Sequence, residues 1–188
     1  MKKIPTLFER VFEEHRIVGI TDKVYPGMEW VLQGEGVATV KLDGACCAII
    51  GGCFYKRFDA KKGRKIPESA IPCSDPDPVT GHYPHWVPVD ENAPGDKWFI
   101  VAFENAQTMR NDPMPDGTYE AVGPHFNGNK HDIPIDWLEP HGISKIEVKR
   151  TFMGIKNYLR EHRIEGIVFW KDGEPQCKIK RSDFGFEW

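Results

Sequence analysis

The sequence predicts an α+β fold that is built mainly from antiparallel strands. Glycine (18) and proline (15) together make up about 18% of the 188 residues, and this excess favours many turns and short strands over a helical bundle. Two Asp-Gly dipeptides, Asp43-Gly44 and Asp172-Gly173, each lie between apolar runs, a pattern typical of hairpins. Apolar residues at helical spacing predict two short helices.

Two short segments predict these helices. Thr6 and Glu9 form a capping-box pattern, and apolar residues at helical spacing extend this helix over about 6–16. Phe152, Ile155 and Leu159 share one face of the second helix, which is predicted over about 151–162.

The remaining regular structure is predicted to be β-strand, because short apolar runs alternate with turn residues. Residues 66–96 are rich in Pro, Asp, Ser and Gly, and they predict a long ordered loop insertion anchored by Trp86. All elements are expected to belong to one domain over residues 1–188. The predicted strands are 37–41, 45–50, 54–58, 97–105, 118–122, 137–139, 167–170 and 177–180.

Composition and charge exclude several classes of protein. The longest apolar run is six residues, too short for a membrane helix, and the N-terminus lacks the apolar core of a signal peptide. Five cysteines without framework spacing indicate reduced thiols and a cytoplasmic protein. Net charge is +4 over residues 1–65, −10 over 66–140 and +3 over 141–188. The two basic ends would favour an anionic ligand if they meet in space.

Lys41-Leu42-Asp43-Gly44 is the first candidate for chemistry. A lysine at a strand end before a tight turn is held in place, and in a partly dry site near other cations it can become a nucleophile. Taken alone, the tetrad also fits a hairpin with a surface lysine. Lys178 and Lys180 alternate on one strand, so their ammonium groups share a face and favour a polyphosphate. Glu165 precedes an apolar strand and suits a hard cation such as Mg²⁺.

Several further residues are candidates for binding, and some of them fit an ordinary structural role as well. Glu120 is a lone acid in an apolar strand, and an ordinary outward-facing position explains it equally well. Arg57 suits bidentate contact with phosphate or carboxylate. Cys46 and Cys47 face opposite sides of a strand and do not easily share a metal. A basic tract is either a solvated loop or a contact for a nucleic-acid backbone; it consists of Lys61, Lys62, Arg64 and Lys65.

Five of these features resemble, in chain order, the motifs of covalent nucleotidyltransferases, which include ATP-dependent DNA and RNA ligases and mRNA capping enzymes. They are the KxDG tetrad at 41–44, Arg57, Glu120, the EGIV segment at 165–168 and the KIK segment at 178–180. The stretch at 123–129 resembles the RNA ligase version. Segments 38–47, 86–89, 95–98 and 140–142 resemble the compact ATP-dependent 5′-to-3′ RNA ligase family, which has a human member. The resemblance spans about residues 30–181.

The resemblance implies the nucleotidyltransferase fold, with two antiparallel sheets flanked by helices. An OB-fold domain is not expected, because few residues follow Arg181. Lys41 would attack the α-phosphate of ATP to form lysyl-AMP, AMP would pass to an RNA 5′-phosphate, and a 3′-hydroxyl would seal the strand. The implied cofactors are ATP and Mg²⁺ or Mn²⁺, and the partner is RNA with 5′-phosphate and 3′-hydroxyl ends, in cytoplasmic RNA repair. No membrane contact is expected, whereas an oligomer or helper domain stays open.

Residue roles follow from the same resemblance. The nucleotide is expected between the two sheets, with Lys41 on one wall and Lys178 and Lys180 on the opposite wall. A position that is Glu in many relatives is Val40 here, which leaves its adenine contacts unassigned. The other implied roles are Asp43 and Arg57 at the ribose and phosphates, Glu120 at the ribose, Glu165 at the metal, Lys178 and Lys180 at the α-phosphate, and Trp137 (or else His141 or Phe126) against adenine.

Two alternatives stay open at this point. The same lysine chemistry fits an adenylyltransferase that acts on another acceptor, and the basic faces fit a non-catalytic RNA-end or nucleotide-binding module. The first alternative predicts a lysyl-AMP adduct without strand joining, and the second predicts no covalent intermediate.

Overall fold

The computed structural model of the chain describes residues 3–14, 16–60, 65–77 and 81–188. These residues form two compact units. Unit 1 is built mainly from Asp43–His141, and unit 2 from Ile4–Leu42 and Gly142–Trp188. The chain therefore enters unit 1 inside the KxDG tetrad, between Leu42 and Asp43.

Within the described residues there are two α-helices, α1 (Lys97–Thr108) and α2 (Phe152–Glu161). Neither these helices nor any other in the described part of the chain has the length and apolar character needed to cross a membrane. The strands of the same residues are β1 (Phe8–Glu13), β2 (Arg16–Val24), β3 (Val37–Lys41), β4 (Ala45–Ile50), β5 (Cys53–Ala60), β6 (Ile71–Pro72), β7 (Tyr83–Pro88), β8 (Gly117–Val122), β9 (Trp137–Pro140), β10 (Gly166–Lys171) and β11 (Glu174–Lys180).

Unit 2 contains a hairpin of β1 and β2 and a three-stranded antiparallel sheet in the order β11-β10-β3. Helix α2 begins after Thr151, whose hydroxyl accepts a hydrogen bond from a backbone N–H of the first turn. Its residues Ile155 and Leu159 are fully buried in one cluster with Ile167 and Ile179 of the sheet. The core of unit 2 therefore occupies one face of this sheet. The other face, which we call the polar face, carries Lys41, Lys178 and Lys180 beside Val168 and Trp170.

Unit 1 contains a six-stranded antiparallel sheet in the order β6-β7-β5-β4-β8-β9. Helix α1 packs on one face, where Ala102 and Ala106 are fully buried in a cluster with Cys47, Tyr119 and Ala121 of the sheet. Because strand residues alternate, the neighbours of these sheet residues lie on the opposite face.

The predicted class is confirmed as a mixed α and β fold that consists mostly of strands. Helix α2 lies where the apolar spacing predicted a helix, and Asp172-Gly173 joins β10 and β11 as the predicted hairpin. Residues 66–96, predicted as a loop, also contain β6 and β7. Trp86 is buried within β7, as expected for an anchor.

The helix predicted over 6–16 is wrong, because this segment forms β1 and the start of β2. Register shifts between Phe8 and Arg10 and between Val11 and Phe12 interrupt the pairing of the two strands. Such bulges break the strict alternation of a strand, so the apolar residues recur at a spacing that resembles a helix.

The strand predicted over 97–105 is also wrong, because these residues form α1. Phe99, Ala102, Phe103 and Ala106 all contribute to the unit 1 core, and their spacing is that of one helix face. Packing of this face outweighs the strand preference of the aromatic and β-branched residues in the segment.

The hairpin predicted at Asp43-Gly44 is a third error. Strand β3 pairs with β10, whereas β4 pairs with β5 and β8, so β3 and β4 belong to different sheets. The hairpin of β4 is made with β5 through Gly51 and Gly52, whose N–H groups donate to the Asp116 carboxylate at 2.7 and 3.0 Å. Asp43-Gly44 therefore lies where the chain enters unit 1, and it is not a turn within a sheet.

Candidate functional site

Four charged side chains meet on the polar face of the unit 2 sheet, and we call them the lysine–glutamate cluster: Lys41, Glu165, Lys178 and Lys180. Gly166 on the central strand β10 lies opposite both Lys41 of β3 and Lys180 of β11. Glu165 directly precedes this glycine, so its carboxylate reaches both sides. One oxygen accepts a hydrogen bond from the Lys41 ammonium, and the other forms an ion pair with the Lys180 ammonium.

Gly166 permits this arrangement because it has no side chain. A Cβ at this position would lie 2.3 Å from the carbonyl oxygen of Ile179 and 3.0 Å from Cα of Lys180. Both contacts are with backbone, so a larger residue would force β10 and β11 apart. The Glu-Gly dipeptide thus brings the lysines of the two outer strands onto one carboxylate.

Lys178 completes the cluster, and within the described part of the chain it has no carboxylate partner of the kind that Lys41 and Lys180 have. Burial lowers its pKa from 10.5 to about 8, and the charges of Lys41 and Lys180 act in the same direction. Three lysines around one carboxylate leave an excess of positive charge, which favours an anionic ligand.

The structure corrects one prediction about this cluster. Lys41 was expected on one wall of a nucleotide site, with Lys178 and Lys180 on the opposite wall. All three belong to the same three-stranded sheet, because β10 pairs with β3 on one edge and with β11 on the other. The spacing of motifs along the chain carries no information about such pairing.

A second group lies in unit 1, and we call it the Glu120 cluster: Cys46, Glu120 and His141. Cys46 of β4 lies directly opposite Glu120 of β8, and His141 follows β9, the next strand. The Glu120 carboxylate accepts the Gly44 N–H at 3.0 Å and contacts Nε2 of His141 at 2.9 Å. Oγ1 of Thr118 holds the other ring nitrogen at 3.0 Å.

The burial of Glu120 distinguishes it from an ordinary outward-facing strand residue. Glu120 is only 9% exposed, so the alternative of an outward-facing, solvated position does not hold. Burial also raises the pKa of the Cys46 thiol to about 12, and the Glu120 charge acts in the same direction.

The Asp43-Gly44 dipeptide is held by the loop at 123–134. Nδ2 of Asn127 donates to the Asp43 carboxylate at 2.9 Å and to the Gly44 carbonyl at 2.7 Å. Nε2 of His131 accepts the Asp43 N–H at 2.8 Å, and Nζ of Lys130 lies 3.5 Å from the Asp43 carboxylate. This loop therefore holds in place the Asp43-Gly44 segment, which follows the candidate nucleophile Lys41 along the chain.

Two further predicted residues lie in unit 1, and one of them, Arg57, forms a side-chain hydrogen bond with Cys46 of the Glu120 cluster. Arg57 of β5 donates from Nε to the Asp59 carboxylate at 2.9 Å. Burial opposes its charge, but the hydrogen bond and charge of Asp59 outweigh burial and raise its pKa. Trp137 of β9 is half-buried against the unit 1 core, in which Phe126 is a buried member.

The predicted RNA-binding tract is only partly described. Lys65 is exposed. Lys61, Lys62 and Arg64 lie outside the described residues.

Sequence reasoning missed several contacts. Asn127 and His131 support Asp43, but they lie more than 80 positions away in sequence. His141 was weighed only as an aromatic partner, and its contact with Glu120 depends on the β8–β9 pairing. Trp170 was missed too; its Nε1 donates to Oγ1 of Thr39 at 2.8 Å.

Comparison with curated proteins supports a family relationship with the RNA ligases, which confirms the resemblance predicted from the motifs. RNA ligase 1 of Rattus norvegicus is 26% identical over 82% of this chain and 69% of the relative. RNA ligase 1 of Pongo abelii is 28% identical over 82% of this chain and 69% of the relative. RNA ligase 1 of Danio rerio is 28% identical over 57% of this chain and 42% of the relative. No family model matches the chain.

Proposed function

We propose that this chain is an ATP-dependent RNA ligase that joins 5′-phosphate and 3′-hydroxyl RNA ends through lysyl-AMP on Lys41. The observation that carries the proposal is the lysine–glutamate cluster, in which Lys41 shares one carboxylate with Lys180 beside Lys178. Similarity to RNA ligases supports RNA as the substrate. The proposal includes the nucleotidyltransferase fold in one domain.

The first reaction step forms a bond between Nζ of Lys41 and the α-phosphorus of ATP and breaks the bond to pyrophosphate, which leaves. The attacking amine must be neutral. Glu165 accepts the hydrogen bond of the Lys41 ammonium, so it is placed to hold the proton that the amine loses. Lys178 and Lys180 supply positive charge where the α-phosphate gains negative charge.

The later steps transfer the nucleotide to RNA. An oxygen of the RNA 5′-phosphate attacks the α-phosphorus, the bond from phosphorus to Nζ breaks, and Lys41 takes back a proton from Glu165 and leaves as the amine. The 3′-hydroxyl of the second RNA end then attacks the activated 5′-phosphate, loses its proton, and releases AMP. These steps depend on position and charge more than on covalent chemistry from the protein.

Glu165 also fits a metal role. Mg²⁺ or Mn²⁺ prefers oxygen ligands and is commonly held by one or two carboxylates together with substrate phosphates. The ammonium groups of Lys41 and Lys180 contact the same carboxylate, so a cation fits here only with the triphosphate. When bound in this way, the metal would neutralise the leaving pyrophosphate.

Other roles in the proposal come from the resemblance. Glu120 would accept a ribose hydroxyl, and its fixed contacts with Gly44 and His141 suit a residue that orients a ligand. Asp43 and Arg57 would contact ribose and phosphates, and Trp137 would contact adenine. RNA would lie along the basic tract of Lys61, Lys62, Arg64 and Lys65.

Incubation with α-labelled ATP and Mg²⁺, followed by a denaturing gel and intact mass, tests the proposal. Wild type should carry one AMP, and Lys41→Ala should lose the adduct completely. Lys171→Ala is the matched control, because Lys171 lies at the end of β10 and pairs with exposed Glu35 at 2.7 Å. This control should keep the adduct.

Added nicked or single-stranded RNA separates the alternatives. Joined RNA supports the ligase, whereas an adduct without labelled or joined RNA indicates transfer to another acceptor. If protein stripped with pyrophosphate forms no adduct, the lysyl-AMP mechanism is wrong and the chain is a binding module.

A further inference from the structure

The Glu120 cluster brings together three different metal-ligating groups. One atom from each of Cys46, Glu120 and His141 lies within 4.8 Å of the other two. The three residues come from neighbouring strands or a strand end, so the sheet rather than a loop sets their separation.

We propose that Cys46, Glu120 and His141 bind a divalent cation of the zinc class when no nucleotide ribose occupies the position beside Glu120. A thiolate, an imidazole and a carboxylate together suit Zn²⁺ or Co²⁺ and not Mg²⁺, which prefers oxygen ligands alone. The two negative ligands balance the charge of the ion, and the Arg57 guanidinium beside Cys46 adds one positive charge. Three protein ligands leave a fourth position of a tetrahedron for water or another small ligand.

Outer contacts already orient two of the ligands. The Gly44 N–H fixes one oxygen of Glu120 at 3.0 Å, and Thr118 Oγ1 holds Nδ1 of His141 at 3.0 Å. Hydrogen bonds of this kind to the far side of a ligand orient it toward the metal and are a common feature of metal sites.

The proton balance of binding is simple. Nε2 of His141 lies 2.9 Å from Glu120, and Nδ1 lies 3.0 Å from Oγ1 of Thr118. A metal bound to Nε2 requires that nitrogen to carry no proton, and Nδ1–H can then donate to Thr118. Cys46 must lose its thiol proton to solvent, since the thiolate is the ligand.

Titration of the whole chain with Co²⁺ alone, without ATP or RNA, tests this site independently of the adenylation assay. We expect about one equivalent to bind, with a thiolate-to-cobalt absorption band in the near ultraviolet. Zn²⁺ should displace the band, and excess Mg²⁺ should leave it unchanged. Thr118→Val should weaken binding about 10- to 100-fold, because it removes only the outer contact.

Two cysteine variants form the matched comparison. Cys46→Ser should lose the band, whereas Cys53→Ser should keep it, because Cys53 is an exposed thiol outside the cluster. Circular dichroism checks that each variant is folded, and His141→Gln gives a second test should Cys46→Ser not fold. A wild type without the band, or a band that persists in folded Cys46→Ser, would overturn the proposal.

Discussion

Glu165 in unit 2 and Glu120 in unit 1 are the same residue type at similar burial, 5% and 9% exposed, yet their contacts differ in charge. The oxygens of Glu165 contact the ammonium groups of Lys41 and Lys180. The oxygens of Glu120 contact a backbone N–H and an imidazole. The first carboxylate is outnumbered by cations, so its cluster favours an anionic ligand, whereas the second has no ammonium partner among these contacts and favours a hydroxyl or a cation.

A glycine lies close to each carboxylate, at a position where a side chain would clash. A Cβ on Gly44 would lie 2.2 Å from the carbonyl oxygen of Ala121 and 2.9 Å from Cγ of Glu120, much as one on Gly166 would strike β11. The two regions therefore use the same device, a missing side chain, to place a buried carboxylate. They differ in the groups that the carboxylate then meets.

Paired Glu→Gln substitutions test this difference with the largest expected effect. Glu165→Gln removes the only negative charge of the lysine–glutamate cluster and should lower the free energy of unfolding by about 3 kcal/mol, as for a broken buried ion pair. Glu120→Gln can still accept the Gly44 N–H and donate to His141, so its loss should be about 1 kcal/mol. Urea denaturation near neutral pH measures both.

The lysines give the control for this pair. In Lys180→Met, loss of one cation leaves Glu165 paired with Lys41, so the variant should lose less stability than Glu165→Gln. Equal losses in Glu165→Gln and Glu120→Gln would mean that local charge does not distinguish the two carboxylates.

Gly166→Ala should have the next largest effect. The added Cβ meets the backbone of β11, so we expect a loss of about 2 kcal/mol, typical of overpacking. The same change should reduce lysyl-AMP formation, because Lys41 and Lys180 no longer share one carboxylate. Gly19→Ala is the control, since a Cβ there meets no atom within 4 Å.

A normal adduct in a clearly destabilised Gly166→Ala protein would separate the two roles of this glycine. It would show that strand spacing supports the fold but does not set the position of the candidate nucleophile. Stability equal to wild type would show that β10 and β11 can adjust to a side chain.

Much of the strand order along the chain could be predicted, because turns and apolar runs are local signals. The errors have long-range causes. Bulges between β1 and β2 disguised a hairpin as a helix, and packing against the unit 1 sheet turned a strand-like run into α1. The pairing of β3 with β10 joins residues far apart in sequence, so no local pattern distinguished it from a hairpin at Asp43-Gly44.

The candidate site shows the same division between local signals, which could be predicted, and long-range contacts, which could not. The motif residues Lys41, Glu165 and Lys180 could be found from their spacing and order, and the structure brings them together. Their placement on one sheet could not be found, since it depends on strand pairing. The contact between Glu120 and His141 was missed for the same reason, and with it the group that includes Cys46.

The smallest expected effect concerns Lys178. Its buried ammonium group destabilises unit 2, and the Glu120 cluster contains no such group. Its pKa is lowered to about 8 by burial and by Lys41 and Lys180, against the opposing effect of Glu165, while Arg10 adds to the lowering. Below pH 8 both folded and unfolded chains hold this proton, and the folded state bears the unfavourable charge. Lys178→Met should therefore raise stability near neutral pH by about 1 kcal/mol.

The sign of the pH dependence gives the sharper test. Between pH 8 and 10.5 the unfolded chain keeps the Lys178 proton that the folded chain has lost, so the contribution of Lys178 to the stability of wild type rises with pH. The difference between Lys178→Met and wild type should shrink over this range in a phosphate-free buffer, and Lys171→Met should follow wild type. A constant difference would mean that Lys178 is not held beside the other ammonium groups. A shrinking difference would show that the excess positive charge of unit 2 destabilises the folded chain, a cost that a bound anion would relieve. The Glu120 cluster bears no such cost.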